Sequence, residues 1–500
     1  MPPATYDLSP FGVEHFGAAE LGDARRDKSL IDLGNRISRH PSGSLPDKYK
    51  DPNALRRCYD LMNTDPVTHA KVLRPHTHRT AGKLLEHKGT ALCLHDLTEL
   101  DFTDLASLHD ELGQIGDGRG RGYECHNSLV VLAEDRRVLG LLAQQLHRRA
   151  DVPKDETPAQ CREREDRESL LWPLGAQAAG EVVDEACAQR DLDGLPQELR
   201  LVDVFDRGGD CFEFLDYLDA HKRSYVGRAK HDRNIRIGHK KAGEEEGPKA
   251  KLKEHLRSLP AQGKSRTIKV RSHDGGTQRQ ALLVCSWAAL TLPPPSQKCG
   301  HWRGAPLEVW VVRVWEPSPP AGVEAVEWFL LTNVKVESAA DAWERVDWYC
   351  CRWVIEEYHK AQKTGCNIED PQFTTAAALR PTIALLSVVA VSLLNLRDLS
   401  RDKKTQDLPA TTVVSQEEME VLCGHYHKKR RLLTVREFFL LLARLGGHQN
   451  RKKDHPPGWL VLWRGWQSLQ LMVAGARARN TPSDLPLESS KRGIQGSPCG

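Results

Sequence analysis

Residues 199–218 read LRLVDVFDRGGDCFEFLDYL, and residues 224–230 read SYVGRAK. The first stretch is a short apolar run, a Gly-Gly turn and a helical segment, and the second is another short strand. Together they make a strand-helix-strand unit. Upstream, TALCLHDLTELDFT at 90–103 is an apolar run ending at Asp96, followed by alternation at Leu100 and Phe102. NSLVVLAEDRRVLGLLAQQL at 127–146 reads as two strands around a charged turn at Glu134 to Arg137. Strands followed by strand-helix-strand predict a mixed α/β sheet covered by helices. Two carboxylates, Asp96 and Asp206, end two of its apolar runs.

The chain has 500 residues, too many for one compact core, so several domains are expected. Residues 1–85 look helical and carry a basic stripe of Arg25, Arg26, Lys28, Arg36 and Arg39. Residues 86–232 hold the first part of the sheet. From 233 to 324 strand-like runs alternate with Pro- and Gly-containing joints, a β-rich insertion. VEWFLLTNV resumes a buried strand, and residues 325–398 complete the sheet region with a long helical stretch from Ser338 toward Gly365 and a further helix, TIALLSVVAVSLLNL. Residues 399–480 look helical and basic, with HKKRR at 427–431 and NRKK at 450–453. Residues 481–500 are rich in Pro, Ser and Gly and read as a disordered tail.

Composition is that of a soluble globular protein, with 39% apolar and 28% charged residues. A net charge of only +3 confines any nucleic-acid surface to a local patch. Thirteen Cys without a CxxC pair, and no secretory signal, predict a reducing bacterial cytoplasm. The longest apolar run, Ile383 to Leu396, is shorter than a bilayer span and predicts a buried core helix, with no membrane partner.

Residues 349–365 read YCCRWVIEEYHKAQKTG. On a helical wheel Tyr349, Arg352, Glu356 and Lys363 share an arc of about 60°. Val354, Ile355, Tyr358 and Ala361 take the opposite side. The plain reading is a surface ladder, since Arg352 and Glu356 form an i,i+4 pair. The richer reading is a carboxylate among cations, suited to a divalent metal and a phosphate backbone together. Asp96 and Asp206 would then join Glu356 around metal ions.

Tyr349-x2-Arg352-x3-Glu356-x6-Lys363 resembles the Tyr-Arg-Glu-Lys signature of bacterial insertion-sequence transposases. It is similar to the insertion-sequence-four group, which includes the transposon Tn-five transposase. LHDLTELDF resembles that family's first-aspartate strand, DRGGD its second-aspartate motif, and FGAAELGDARRDKSL its N-terminal segment. The resemblance implies an α/β fold: a ribonuclease H-like catalytic core with a β-rich insertion, flanked by helical N- and C-terminal domains, the first of them DNA-binding. It implies a DDE transposase that excises and transfers an insertion sequence by metal-dependent DNA cleavage and strand transfer. Asp96, Asp206 and Glu356 become catalytic metal ligands for Mg²⁺, with Mn²⁺ as a substitute. Tyr349, Arg352 and Lys363 would hold DNA near the cut, Trp328 would stack an extruded base, and Arg228 and Lys230 would form a basic pair near the DNA. The implied partners are double-stranded DNA at terminal inverted repeats, target DNA, and a second subunit in the DNA complex. The apolar stripe in LTVREFFLLLARL is a candidate pairing surface. Gly208 stands where the family's second motif commonly has Glu, and Val354 stands where a basic residue is common.

Twenty-one His invite a zinc reading, but neither His76 with His78 nor His425 with His427 has partners at finger spacing. The rival functional reading is a DNA-binding protein of transposase descent that no longer cuts.

Overall fold

The computed structural model describes residues 11–40, 42–152, 155–239, 247–271, 278–295, 303–427, 431–451 and 454–479. The expected tail at 481–500, and the centres of the basic runs at 428–430 and 452–453, lie outside the described residues. The described residues divide into two compact units, one up to Asp398 and one from Leu399 onward.

The larger unit is built on a twelve-stranded sheet. Its strands are β1 Gly89–Asp101, β2 Gly113–Ile115, β3 Gly120–Leu132, β4 Val138–His147, β5 Leu199–Phe205, β6 Ser224–Arg228, β7 Asn234–Ile237, β8 Lys249–Lys251, β9 Arg266–Arg271, β10 Gln278–Leu292, β11 Leu307–Trp315 and β12 Glu327–Thr332. The spatial order is β2-β3-β1-β5-β6-β12-β11-β10-β7-β8, with β4 also on β3 and β9 on β10. β1, β5 and β6 are parallel, whereas β3 is antiparallel to β1 and β4 antiparallel to β3. The strands read in 233–324 are not a separate sheet: β10 and β11 continue the first through β12.

Among the described residues, five helices precede the sheet: α1 Phe11–Phe16, α2 Ala24–Ile37, α3 Leu45–Tyr49, α4 Pro52–Met62 and α5 His69–Leu85. Asp23 caps α2, accepting from the Arg25 amide, and Thr68 caps α5 in the same way through the Lys71 amide. Between β4 and β5 come α6 Pro158–Glu163 and α7 Leu171–Ala188, and α8 Phe212–Ala220 links β5 to β6. α5 and α7 cover one face of the sheet, burying Cys93, Val130, Leu142 and Val183. A second core under α8 gathers Trp172, Phe205, Phe214, Tyr225 and Leu331.

After β8 comes α9 Leu252–Ser258, and after β12 come α10 Ala339–Cys350, α11 Trp353–Lys360 and α12 Ala376–Arg401. The apolar run in α12 is mostly buried, as its interrupted hydropathy predicts. The continuous helix expected through 349–365 is interrupted twice. Amides at Cys351, Arg352, Val354 and Ile355 bond three residues back, so the chain tightens there. Ala361–Gly365 is a π-helical turn closed by the Cys366 amide onto Ala361. Such departures from α geometry concentrate at functional sites. The tight turn, in which side chains three apart eclipse, keeps Tyr349 and Arg352 on one side.

The smaller unit contains α13 Gln416–His427, α14 Val435–Leu445 and α15 Trp459–Arg479. A Cβ on Gly446 would lie 1.9 Å from the Val461 carbonyl oxygen, and one on Gly465 equally close to that of Leu442. Only glycine permits this crossing. The stripe expected to pair subunits is used within the unit, with Val435, Phe438, Phe439 and Leu442 buried.

Candidate active site

β1 and β5 run side by side in parallel, and their pairing ends at His95 opposite Phe205. Asp96 and Asp206 are each the next residue, so they stand level at the carboxyl edge of the parallel pair. Neighbouring strands lie about 4.8 Å apart, which makes the two carboxylates adjacent. β1 does not end at Asp96 but continues to Asp101 against β3. Side chains alternate along it, so Cys93 and His95 face α7 and α8 while Asp96 faces α11. Asp206 leaves β5 as the cap of a single 3-10 turn, accepting the Gly208 amide at 2.7 Å. A Cβ on Gly208 would meet the buried Trp172 ring at 2.8 Å, so this turn has no room for the family's common Glu.

Glu356 reaches the pair through Arg352. The guanidinium donates to Asp96 Oδ2 at 3.3 Å and, through its other terminal nitrogen, to Glu356 Oε1. It therefore bridges two of the three acids. Burial pushes the Asp96 carboxyl up to about 7; Arg352 opposes that rise, and Asp206 and then Glu356 reinforce it. All three carboxylates thus sit within one electrostatic neighbourhood. Arg352 is in turn raised above its usual range because Tyr349, Asp96 and Glu356 outweigh its own burial.

Beside the acids is an aromatic and basic group. Tyr349 meets Trp328 edge-on at 5.6 Å, and Arg228 lies 5.9 Å over the Trp328 ring. Burial raises the Tyr349 phenol, against the pull of Arg352 and of Arg228. Arg228 sits in β6 and Trp328 in β12, strands that pair with Leu330 opposite Arg228. Lys230 is exposed, and its amide donates to the buried Asp210 at 2.6 Å. Lys363 pairs with Glu369 at 3.1 Å.

Sequence reading missed the groups that surround Asp96. Asn127, the cross-strand partner of Asp96, bonds His359 at 3.1 Å. His359 Nδ1 lies 4.0 Å from Asp96 Oδ2, and burial, with Lys363 and Arg352, lowers the ring to about 3. Behind Asp96, His95 bonds Asp203 at 2.8 Å, and Arg223 bonds both Asp203 oxygens. Cys93, His95 and Asp203 come close enough to hold a metal ion. Arg223 already neutralises that carboxylate, which is held down at about 2 despite its burial. The only signals in the sequence were His95 beside Asp96 and His359 three residues after Glu356. The His76 ring accepts the Leu141 amide at 3.1 Å and meets His15 at 2.8 Å.

Residues 11–67 match the family model described as transposase DNA-binding. The match spans α1 to α4 and includes the segment FGAAELGDARRDKSL. It supports a transposase with DNA as a partner.

Proposed function

We propose that the chain is a DDE transposase of the insertion-sequence-four type, which cuts and rejoins DNA at the ends of an insertion sequence. The observation that carries this is the level placement of Asp96 and Asp206, one residue past a parallel strand pair, with Glu356 tied to Asp96 through Arg352. The strand order β4-β3-β1-β5-β6, with only β3 running against the other four, supports a ribonuclease H-like core.

The donor set fits Mg²⁺. It consists of carboxylate oxygens, hard ligands of the kind that ion prefers, and a guanidinium already bridges two of them. Asp96, Asp206 and Glu356 would hold the metal, with Mn²⁺ a substitute, and bound metal would supply activation of the attacking oxygen and charge stabilisation at phosphorus. Arg352, once off the carboxylates, forks onto a phosphate of the strand being cut. Tyr349 orients that strand as a hydrogen-bond donor, and its raised phenol keeps its proton. Trp328 offers a face to an unstacked base, a contact worth ~1–3 kcal/mol. Arg228 and Lys230 serve as further phosphate contacts, and Lys363 joins them on leaving Glu369. The α1–α4 segment binds the terminal inverted repeats, two chains act together in the DNA complex, and the target is a second duplex.

Short inverted repeats flanking the coding frame would supply the substrate. Duplexes carrying them, incubated with the protein and Mg²⁺, should be cut to leave 3′-hydroxyl ends. Tight binding without cutting under any divalent ion would instead identify a DNA-binding protein that has lost cleavage.

A further inference from the structure

The acids are backed by a chain of buried amides. His69, at the start of α5, bonds Gln144 Oε1 through Nε2 at 3.0 Å. Gln144 Nε2 donates to Asn127 Oδ1 at 2.8 Å and to Ser387 Oγ at 2.9 Å. Asn127 Nδ2 then meets His359 Nε2 at 3.1 Å, and His359 Nδ1 faces Asp96 Oδ2 at 4.0 Å. Gln144, Asn127 and Ser387 are buried, so none has water as an alternative partner.

Such a chain has two arrangements, because each amide can be turned over only if its neighbours turn with it. In one, Asn127 donates to Nε2, so Nδ1 carries the ring proton and points an N–H at Asp96. In the other, Asn127 accepts from Nε2–H, and Nδ1 points a lone pair at Asp96. The second arrangement sets a lone pair against a carboxylate. It also turns Asn127 Oδ1 away from the Cys125 thiol, 3.7 Å from it. The first keeps Asn127 Oδ1 beside that thiol and turns a ring N–H, not a lone pair, toward the carboxylate.

Asp96 needs such a partner. Its Oδ1 accepts the Leu97 amide at 3.0 Å, while Oδ2 faces only a long, shared guanidinium and this imidazole. We propose that His359 is a positioning residue for Asp96: the Gln144–Asn127 chain locks its Nδ1–H tautomer, so a fixed donor restrains the carboxylate when Arg352 moves to a DNA phosphate. The proposal rests on the reading of Asp96 as a metal ligand. It also makes His359 unable to ligate metal itself through Nδ1, whose electron pair is taken up by the proton.

The test is a long-range ¹H–¹⁵N correlation spectrum of the full chain labelled at histidine, in which the two neutral tautomers give distinct patterns. The His359 signals are assigned by their loss in His359→Asn or His359→Gln, whichever folds. The Nδ1–H pattern is expected; the Nε2–H pattern overturns the proposal. On end DNA, His359→Asn puts an amide N–H near the place of Nδ1 and should keep cleavage within about tenfold of wild type. His359→Ala should lose ~10–100-fold, a range usual for groups that orient a metal ligand, with DNA affinity unchanged. Cleavage by His359→Ala at the wild-type rate would also overturn it. Should the wild-type protein cut no DNA, the proposed function fails while the tautomer still decides this point.

Discussion

Replacing Arg352 by Ala should tighten divalent-cation binding to the DNA-free protein. The guanidinium neutralises part of a three-carboxylate cluster, and an incoming ion must displace it from Asp96 and Glu356. A hydrogen bond to a charged group is worth ~1.5–3 kcal/mol. The displaced group recovers much of that in water, so we assign a net cost of ~1–2 kcal/mol, or ~5–30-fold in affinity. Protons compete for the same charge. Asp96 is pushed up to about 7 even with Arg352 opposing the rise, so removing Arg352 raises it further. A divalent ion responds to that potential with twice the charge of a proton, so the metal still gains. The gain should grow from pH 6 to pH 9 as Asp96 releases its proton. Calorimetric titration of Mn²⁺ at pH 8.5 reads it directly. Unchanged or weaker binding by Arg352→Ala at that pH would refute the picture of a guanidinium standing in for metal.

Asp96→Asn should raise the Tm of the metal-free protein at pH 8. A carboxyl whose folded-state pKa is raised from 3.8 to about 7 loses stability as pH climbs between those values. The amide should recover on the order of 2–4 kcal/mol above pH 7, and the difference should shrink toward pH 4 in scanning calorimetry. Gly208→Ala should destabilise by ~1–3 kcal/mol in denaturant titration, because its methyl meets the buried Trp172 ring. Trp328→Ala should weaken binding of a duplex with an unpaired terminal base by ~1–3 kcal/mol and leave a fully paired duplex less affected, read by fluorescence anisotropy.

The strands were legible because the apolar runs around 90–103, 127–146 and 199–205 have the period of a half-buried or buried strand, but their boundaries were not: β3 begins at Gly120 and β1 runs on to Asp101. That Asp96 and Asp206 end apolar runs was visible too. That they stand level was not, because parallel register is set by packing of residues more than 100 positions apart. The wheel through 349–365 placed Arg352 beside Glu356, but its constant period hid the tight turn at 351–355 and the π turn at 361–365. Lys363 lies within the π turn and pairs with Glu369, a partner the wheel did not show. The α14 stripe shows the reverse limit: an apolar face says that something covers it, and here the cover is α15, admitted by Gly446 and Gly465. His359 and Asn127 escaped notice because their partnership spans two distant elements and neither residue type announces itself in a buried helix or strand.

The central claim is that Asp96, Asp206 and Glu356 hold one metal site. It is tested most directly by loading the protein with Fe²⁺ in place of Mg²⁺ and adding ascorbate and peroxide, so that radicals formed at the ion cut the nearby backbone. The account predicts cuts clustered near residues 96, 206 and 356 in the same sample, suppressed by excess Mg²⁺ and by Glu356→Gln. Cuts confined to one of these segments, or centred on Cys93, His95 and Asp203 in the core behind them, would contradict it.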